Sequence, residues 1–105
     1  MKELTINVKN DFNRYLSGRE KKIADFSGED FRMRFLDDAI DLYDRINIEL
    51  DGVLGYPWDF LDEVFGVLAR RHGKEKILGK INLISQNNYV SEKIIYIVTH
   101  SDKEG

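Results

Sequence analysis

The stretch LDGVLGYPWDFLDEVFGVLARRHG, from Leu50 to Gly73, constrains this chain most, because a strand end, a glycine-broken loop and an amphipathic helix follow one another without a spare residue. Ile46, Ile48 and Leu50 alternate with Asn47, Glu49 and Asp51, which gives a half-buried strand with one apolar face. Gly52 and Gly55 admit backbone angles that side chains resist, and Pro57 presets a turn or a first helical residue. Asp59 reads as the N-cap of the helix, with Asp62 three residues on as a shortened capping-box partner. Phe60, Leu61, Val64, Phe65 and Leu68 then form one broad apolar stripe. Arg70, Arg71 and His72 complement the negative helix end, and Gly73 reads as the left-handed stop.

The rest of the chain follows the same logic. Leu4, Ile6 and Val8 alternate with Thr5, Asn7 and Lys9, which predicts a first strand within residues 1–9. From Phe12 to Asp25 the pattern admits either a hairpin around Ser17-Gly18, flanked by Arg14-Tyr15-Leu16 and Lys22-Ile23-Ala24, or an irregular segment. Ser27 caps the next helix, with Asp30 as its capping-box partner and Phe26 and Phe31 as a hydrophobic staple. Phe31, Phe35, Leu36, Ala39, Ile40 and Tyr43 form its buried stripe, to about Asp44. Lys74 to Lys80 reads as a charged connection with Gly79 as a turn, followed by a strand at Ile81 and Leu83. Residues 91–99 fit a strand by their β-branched run and a helix by the spacing of Val90, Ile94, Ile95 and Val98. Helix is the expectation, because alternating strands and helices then follow from short connections, and 99–105 is expected to fray.

A chain of 105 residues makes one domain, 1–105, large enough to bury about 65% of its unfolded surface. Its net charge of −3, with 16 Lys and Arg among 19 acids, argues against a nucleic-acid partner, since a phosphate backbone rewards a basic face. There are no cysteines, which excludes disulfides and zinc-thiolate sites. No apolar run approaches the ~18 residues of a membrane span, and the N-terminus lacks a signal-like core, so a cytoplasmic protein without membrane contact is expected.

No residues assemble into a catalytic set, and no cofactor or metal site is expected. Asp37, Asp38, Asp41 and Asp44 crowd one helix end, where a metal or basic partner could hold them, but a solvated face paired with residues such as Arg34 and Arg45 explains them first. His72 lacks a neighbouring acid or nucleophile by spacing. The glycines at 52 and 55 lack the Lys-Ser/Thr ending of a phosphate loop, and Asp59 and Asp62 would repel the anion. Ser27-Gly28 with Arg32 is a better anion candidate, though helix capping accounts for Ser27 first. Leu54, Tyr56 and Trp58 are different: three large residues in one loop do not all turn inward easily, although Trp58 could fold down as a lid on the core.

SGEDFRMRFL at 27–36, INIELDGV at 46–53 and GYPWDFLDEVFGVLAR at 55–70 resemble the STAS-like domain family of unknown function, over roughly residues 18–98. That family is related in fold to the STAS domains named for sulphate transporters and anti-sigma factor antagonists. The resemblance implies a small mixed sheet with helices against it, and bacterial or phage signalling through protein contacts. STAS antagonists are switched by phosphorylation of a serine at the start of the helix after the central strand. Asp59 holds that place here; it carries a permanent charge and cannot join a serine switch.

The expectation is therefore a single α/β domain with a STAS-like mixed sheet and about three helices packed mainly on one face. Its expected function is that of a non-catalytic regulatory module, monomeric or homodimeric, whose protein partner docks on Leu54, Tyr56, Trp58, Asp59 and Asp62. The alternatives are a stoichiometric inhibitor encoded by a mobile element, for example against a host defence system, and a small-ligand or nucleotide sensor.

Overall fold

A computed structural model describes residues 1–20 and 25–101. Three strands, β1 (Glu3–Asn7), β2 (Arg45–Glu49) and β3 (Ile81–Ile84), form one sheet in the order β1-β2-β3, and both pairings are parallel. The expected mixed sheet is therefore a parallel one. The physical reason is that each strand is followed by a crossover containing a helix, which returns the chain to the same end of the sheet.

Among the described residues five helical elements accompany the sheet, more than the three expected: a single π-helical turn at Val8–Phe12, α1 (28–42), α2 (58–72), α3 (Lys74–Lys80) and α4 (Asn88–Ser101). Lys74–Lys80 is thus a helix rather than a connection, with Ile77 buried beneath it. Its seven residues bury so little that the charge pattern hides them. The fourth helix runs on to Ser101, whose hydroxyl is bonded to the Ile97 carbonyl, so 99–101 is not frayed. Residues 13–20 carry no regular structure. Backbone N–H groups of Ser17, Gly28 and Glu29 donate to the carbonyls of Phe26, Gly18 and Arg19, which ties this segment alongside the start of α1. The Lys22-Ile23-Ala24 arm of the alternative hairpin lies outside the described residues.

Both α1 and α2 are interrupted by a π-helical turn, at Arg32–Leu36 and Asp62–Gly66. Ser27 Oγ accepts from the Asp30 N–H at 3.1 Å at the start of α1. Phe12 packs edge-on against both Phe26 and Phe31, at 5.5 and 5.2 Å between ring centroids, and so bridges the two residues expected to staple this helix start.

Strand alternation decides where the core lies. Ile6, Ile46, Ile48 and Leu50 are buried on one face, beneath Phe31, Phe60, Leu61, Phe65 and Leu68 of α1 and α2. The opposite face carries Thr5, Asn47 and Asn82 in one row across the three strands. Asn82 Nδ2 donates to Asn47 Oδ1 at 3.0 Å, and Asn47 Nδ2 to Thr5 Oγ1 at 3.2 Å. The helices thus pack on one face, as expected, and the other is polar. No helix among the described residues is long and apolar enough to cross a membrane.

The closest approach between α1 and α2 is set by Gly28, where an added Cβ would stand 2.7 Å from the Phe60 carbonyl oxygen. Backbone cannot yield there as a side-chain tip can. Gly28→Ala should therefore destabilise the domain by more than about 1 kcal/mol, against helix propensity, whereas Gly79→Ala, with open space around it, should stabilise by about 0.5 to 1 kcal/mol. Denaturant unfolding of the two variants measures both signs, and a stabilised Gly28→Ala protein would contradict the tight crossing.

Candidate functional site

The loop 50–57 leads from the carboxyl end of β2 to helix α2, whose first residues reach the surface there. Pro57, extended at φ −61° and ψ 144°, is the N-cap, no side chain caps the helix, and Trp58 is its first residue. Asp59 is therefore not the cap expected of it. It lies in the first turn, and its carboxylate, 71% exposed, faces the Arg19 guanidinium at 3.3 Å. Arg19 comes from a loop 40 positions earlier, a contact with no local signature. At the other end Gly73 takes φ 90° and ψ 143°, a positive φ outside the left-handed helical region, and its N–H donates to the Ala69 carbonyl.

The expected anchors divide. Leu54 is 66% exposed and Trp58 50% exposed. Tyr56 turns inward: it is buried, and its hydroxyl donates to the Leu50 carbonyl at 2.7 Å, closing the loop onto the strand end. It is thus part of the support for the surface rather than an exposed anchor, since an aromatic ring gains more by filling the core once its hydroxyl finds a partner. Asp62 is also occupied, holding Arg19 at 2.7 Å and Arg70 at 3.6 Å. That hydrogen bond from Arg19 keeps its guanidinium still more firmly protonated.

What joins Leu54 and Trp58 at the surface comes from α4. Tyr89, Lys93, Tyr96 and His100 recur at i, i+4, i+7 and i+11, which puts them along one side of that helix. The Lys93 ammonium sits 4.7 Å from the Trp58 ring centroid and 5.4 Å from that of Tyr89. Trp58 meets Tyr96 edge-on at 6.4 Å, and Tyr96 lies against His100 at 4.1 Å. Lys93 Nζ donates to the Tyr56 carbonyl at 2.7 Å, and its partial burial lowers its pKa. Tyr89 and Tyr96 are 63% and 57% exposed. In the sequence these four residues are masked by the stronger apolar periodicity of Val90, Ile94 and Val98 on the neighbouring side of the helix. The heptad-like spacing of Tyr89, Lys93 and Tyr96 was the available signal.

Next to this surface an open cleft of about 410 Å³ separates the 50–56 loop from the start of α4. Asp51 fastens its floor: its carboxylate accepts from Ser85 Oγ at 2.9 Å and from the Gln86 N–H at 3.1 Å, linking the ends of β2 and β3.

Among the other sequence candidates, Arg32, Asp37, Asp41 and Asp44 are engaged in internal pairing. Arg32 is buried and donates to both Asp37 oxygens, at 2.9 and 2.7 Å, and to Glu63, so it does not serve the Ser27-Gly28 helix start as an anion ligand. The acids in and after α1 meet partners other than those expected: Asp37 faces Arg32 and Arg71, Asp41 faces Lys76 at 3.0 Å, and Asp44 accepts from the Lys2 backbone N–H at 2.8 Å. The Lys76 hydrogen bond lowers the pKa of Asp41. No group of three or more metal-ligating side chains occurs among the described residues.

A one-sided layer of helices on a short parallel sheet, with its exposed aromatic residues at the carboxyl end of the strands, defines a small α/β domain of STAS-like type. The chain belongs to the STAS-like domain of unknown function family (DUF4325), whose model matches residues 27–91, more than half of its length. Among curated proteins, and among solved structures, nothing matches it.

Tyr56 gives this site a pH signature. Burial raises the pKa of its phenol above the ordinary value of 10, so the neutral form is bound into the fold. A group whose folded pKa is raised contributes stability that is complete below its unfolded pKa and lost as pH rises. Unfolding free energy should therefore fall progressively above pH 10. In Tyr56→Phe, which should cost about 1 kcal/mol at neutral pH, this part of the alkaline loss should vanish. Identical alkaline slopes for the two proteins would contradict the buried phenol.

Proposed function

We propose that this domain is a non-catalytic interaction module of a cytoplasmic bacterial or phage regulatory system, and that it captures a protein partner on Leu54, Trp58, Asp59, Tyr89 and Tyr96. The observation that carries this reading is the exposed aromatic group Trp58, Tyr89 and Tyr96, assembled around one lysine by two separate helices. Aromatic residues held by packed helix ends lose little freedom on docking, and they are the residue types that dominate binding energy at protein interfaces. Asp59 supplies a charged rim whose contact with Arg19 is solvent-exposed and therefore weak. Membership of the STAS-like family agrees with such a role.

The test is a paired substitution that keeps Trp58, the single tryptophan, as a fluorescent reporter. Leu54→Asp with Tyr96→Ala should shift the melting temperature by no more than about 3 °C, because both side chains are exposed. The same protein should lose capture of the partner from the native host at least tenfold, with no change in Trp58 emission when partner is added. Undiminished capture by the folded variant would refute this surface. A rise in melting temperature with a nucleotide, and none with the partner, would favour a ligand sensor instead.

A further inference from the structure

The sheet ends on an unguarded strand. β3 pairs with β2 on one side, and among the described residues no strand lies along its other edge. Soluble proteins usually protect such edges with charges, proline or a covering element. Residues 81–91, INLISQNNYVS, carry no charged side chain, in a chain where 33% of residues are charged. The other edge, β1, has Lys2, Glu3, Lys9 and Asp11 within or beside it and is guarded in the ordinary way. Beside the β3 edge runs an apolar hollow of about 270 Å³, lined by Ile77, Leu78, Ile81, Leu83, Ile95 and Val98. Leu78 and Ile95 are each more than 40% exposed there, and Ile84 is as exposed on the opposite face of the strand.

We propose that two copies of this chain pair antiparallel along β3, with Asn82 on the two-fold axis, so that two three-stranded sheets become one of six strands. The side-chain order of β3 carries the choice of a second copy. Directly opposed residues in an antiparallel pair point to the same face. Centring the pair on Asn82 sets Ile81 against the partner's Leu83 on the helix side, apolar against apolar, and Asn82 against its own copy on the polar side. Asn82 uses one amide N–H on Asn47, which leaves its second N–H and its carbonyl oxygen for a reciprocal pair with the copy. The row Thr5, Asn47, Asn82 thereby continues unbroken into the second sheet. Lys80, just before the strand, turns its ammonium to the Ile40 carbonyl at 2.6 Å, so the edge from Ile81 to Ile84 brings no charge to the seam where two identical chains of net charge −3 meet. The flank of α4 carrying Ser91 and Ile95 turns away from the one carrying Tyr89, Lys93 and Tyr96, so the dimer leaves the aromatic surface free.

Sedimentation equilibrium between about 1 μM and about 1 mM should show a reversible rise to twice the monomer mass. Asn82→Asp and Asn82→Lys should each remain monomeric over that range while melting cooperatively, and an equimolar mixture of the two should regain the dimer, because each new charge would face its opposite. The chain contains no cysteine, so Asn82→Cys should also give a covalent dimer on mild oxidation, since directly opposed Cα atoms lie about 4.5 to 5.5 Å apart. Thr5→Cys, on the same face of the guarded edge, should not. A wild type that stays monomeric throughout, a dimer that survives both charged variants, or a mixture that fails to pair would each overturn the proposal.

Discussion

The buried guanidinium of Arg32 is the interaction on which the helical layer depends. Its Nε donates to the Glu63 carbonyl at 3.1 Å, one terminal nitrogen meets the Glu63 carboxylate at 3.1 Å, and the other holds both oxygens of Asp37. One side chain thus joins the π-helical turn of α1 to that of α2. A π-helical turn leaves backbone carbonyls short of their usual helical partners, and Glu63 offers such a carbonyl to Arg32. The charge is desolvated, with the side chain 5% exposed, so its removal would leave two carboxylates facing each other across the helix contact.

That contact fixes what lies on either side of it. Gly28 brings α1 against the Phe60 carbonyl, which sets the first turn of α2 and therefore the direction in which Trp58 leaves the fold. Tyr56 then closes the preceding loop onto Leu50, and Lys93 reaches from α4 to the Tyr56 carbonyl. The exposed aromatic surface accordingly rests on Gly28 and Tyr56, both buried, and on Lys93, which reaches inward to the Tyr56 carbonyl. Its position at the carboxyl end of a parallel sheet matches where open α/β folds place their binding surfaces.

Much of this architecture is legible in the chain. The strands are, because alternation at Ile46, Ile48 and Leu50 survives folding unchanged, and so is the start of α1, where periodicity and the Ser27 cap agree. What escapes is what depends on distant partners. Asp59 looks like a cap, but Pro57 takes that place and Arg19 takes the carboxylate. Tyr56 looks like an exposed anchor until the Leu50 carbonyl is seen to satisfy its hydroxyl. Helix α3 is hidden because one buried isoleucine in seven residues leaves no period to read. The resemblance led to a mixed sheet, whereas helices between successive strands already implied a parallel one. The aromatic surface is half legible: Leu54 and Trp58 stand out in their loop, but the tyrosines that complete it belong to a helix recognised only by its apolar side.

Helices α1 and α2 are coupled through Arg32 and Glu63, and a double-mutant cycle measures that coupling directly. Arg32→Met, Glu63→Gln and the double variant should be compared by denaturant unfolding near neutral pH. Arg32→Met alone should cost about 3 kcal/mol or more, because it leaves Glu63 and Asp37 with only the longer contacts to Arg19 and Arg71, and the coupling free energy should exceed about 1.5 kcal/mol. Additive effects within about 0.5 kcal/mol would show that the two helices are held by apolar packing alone, and would contradict this account.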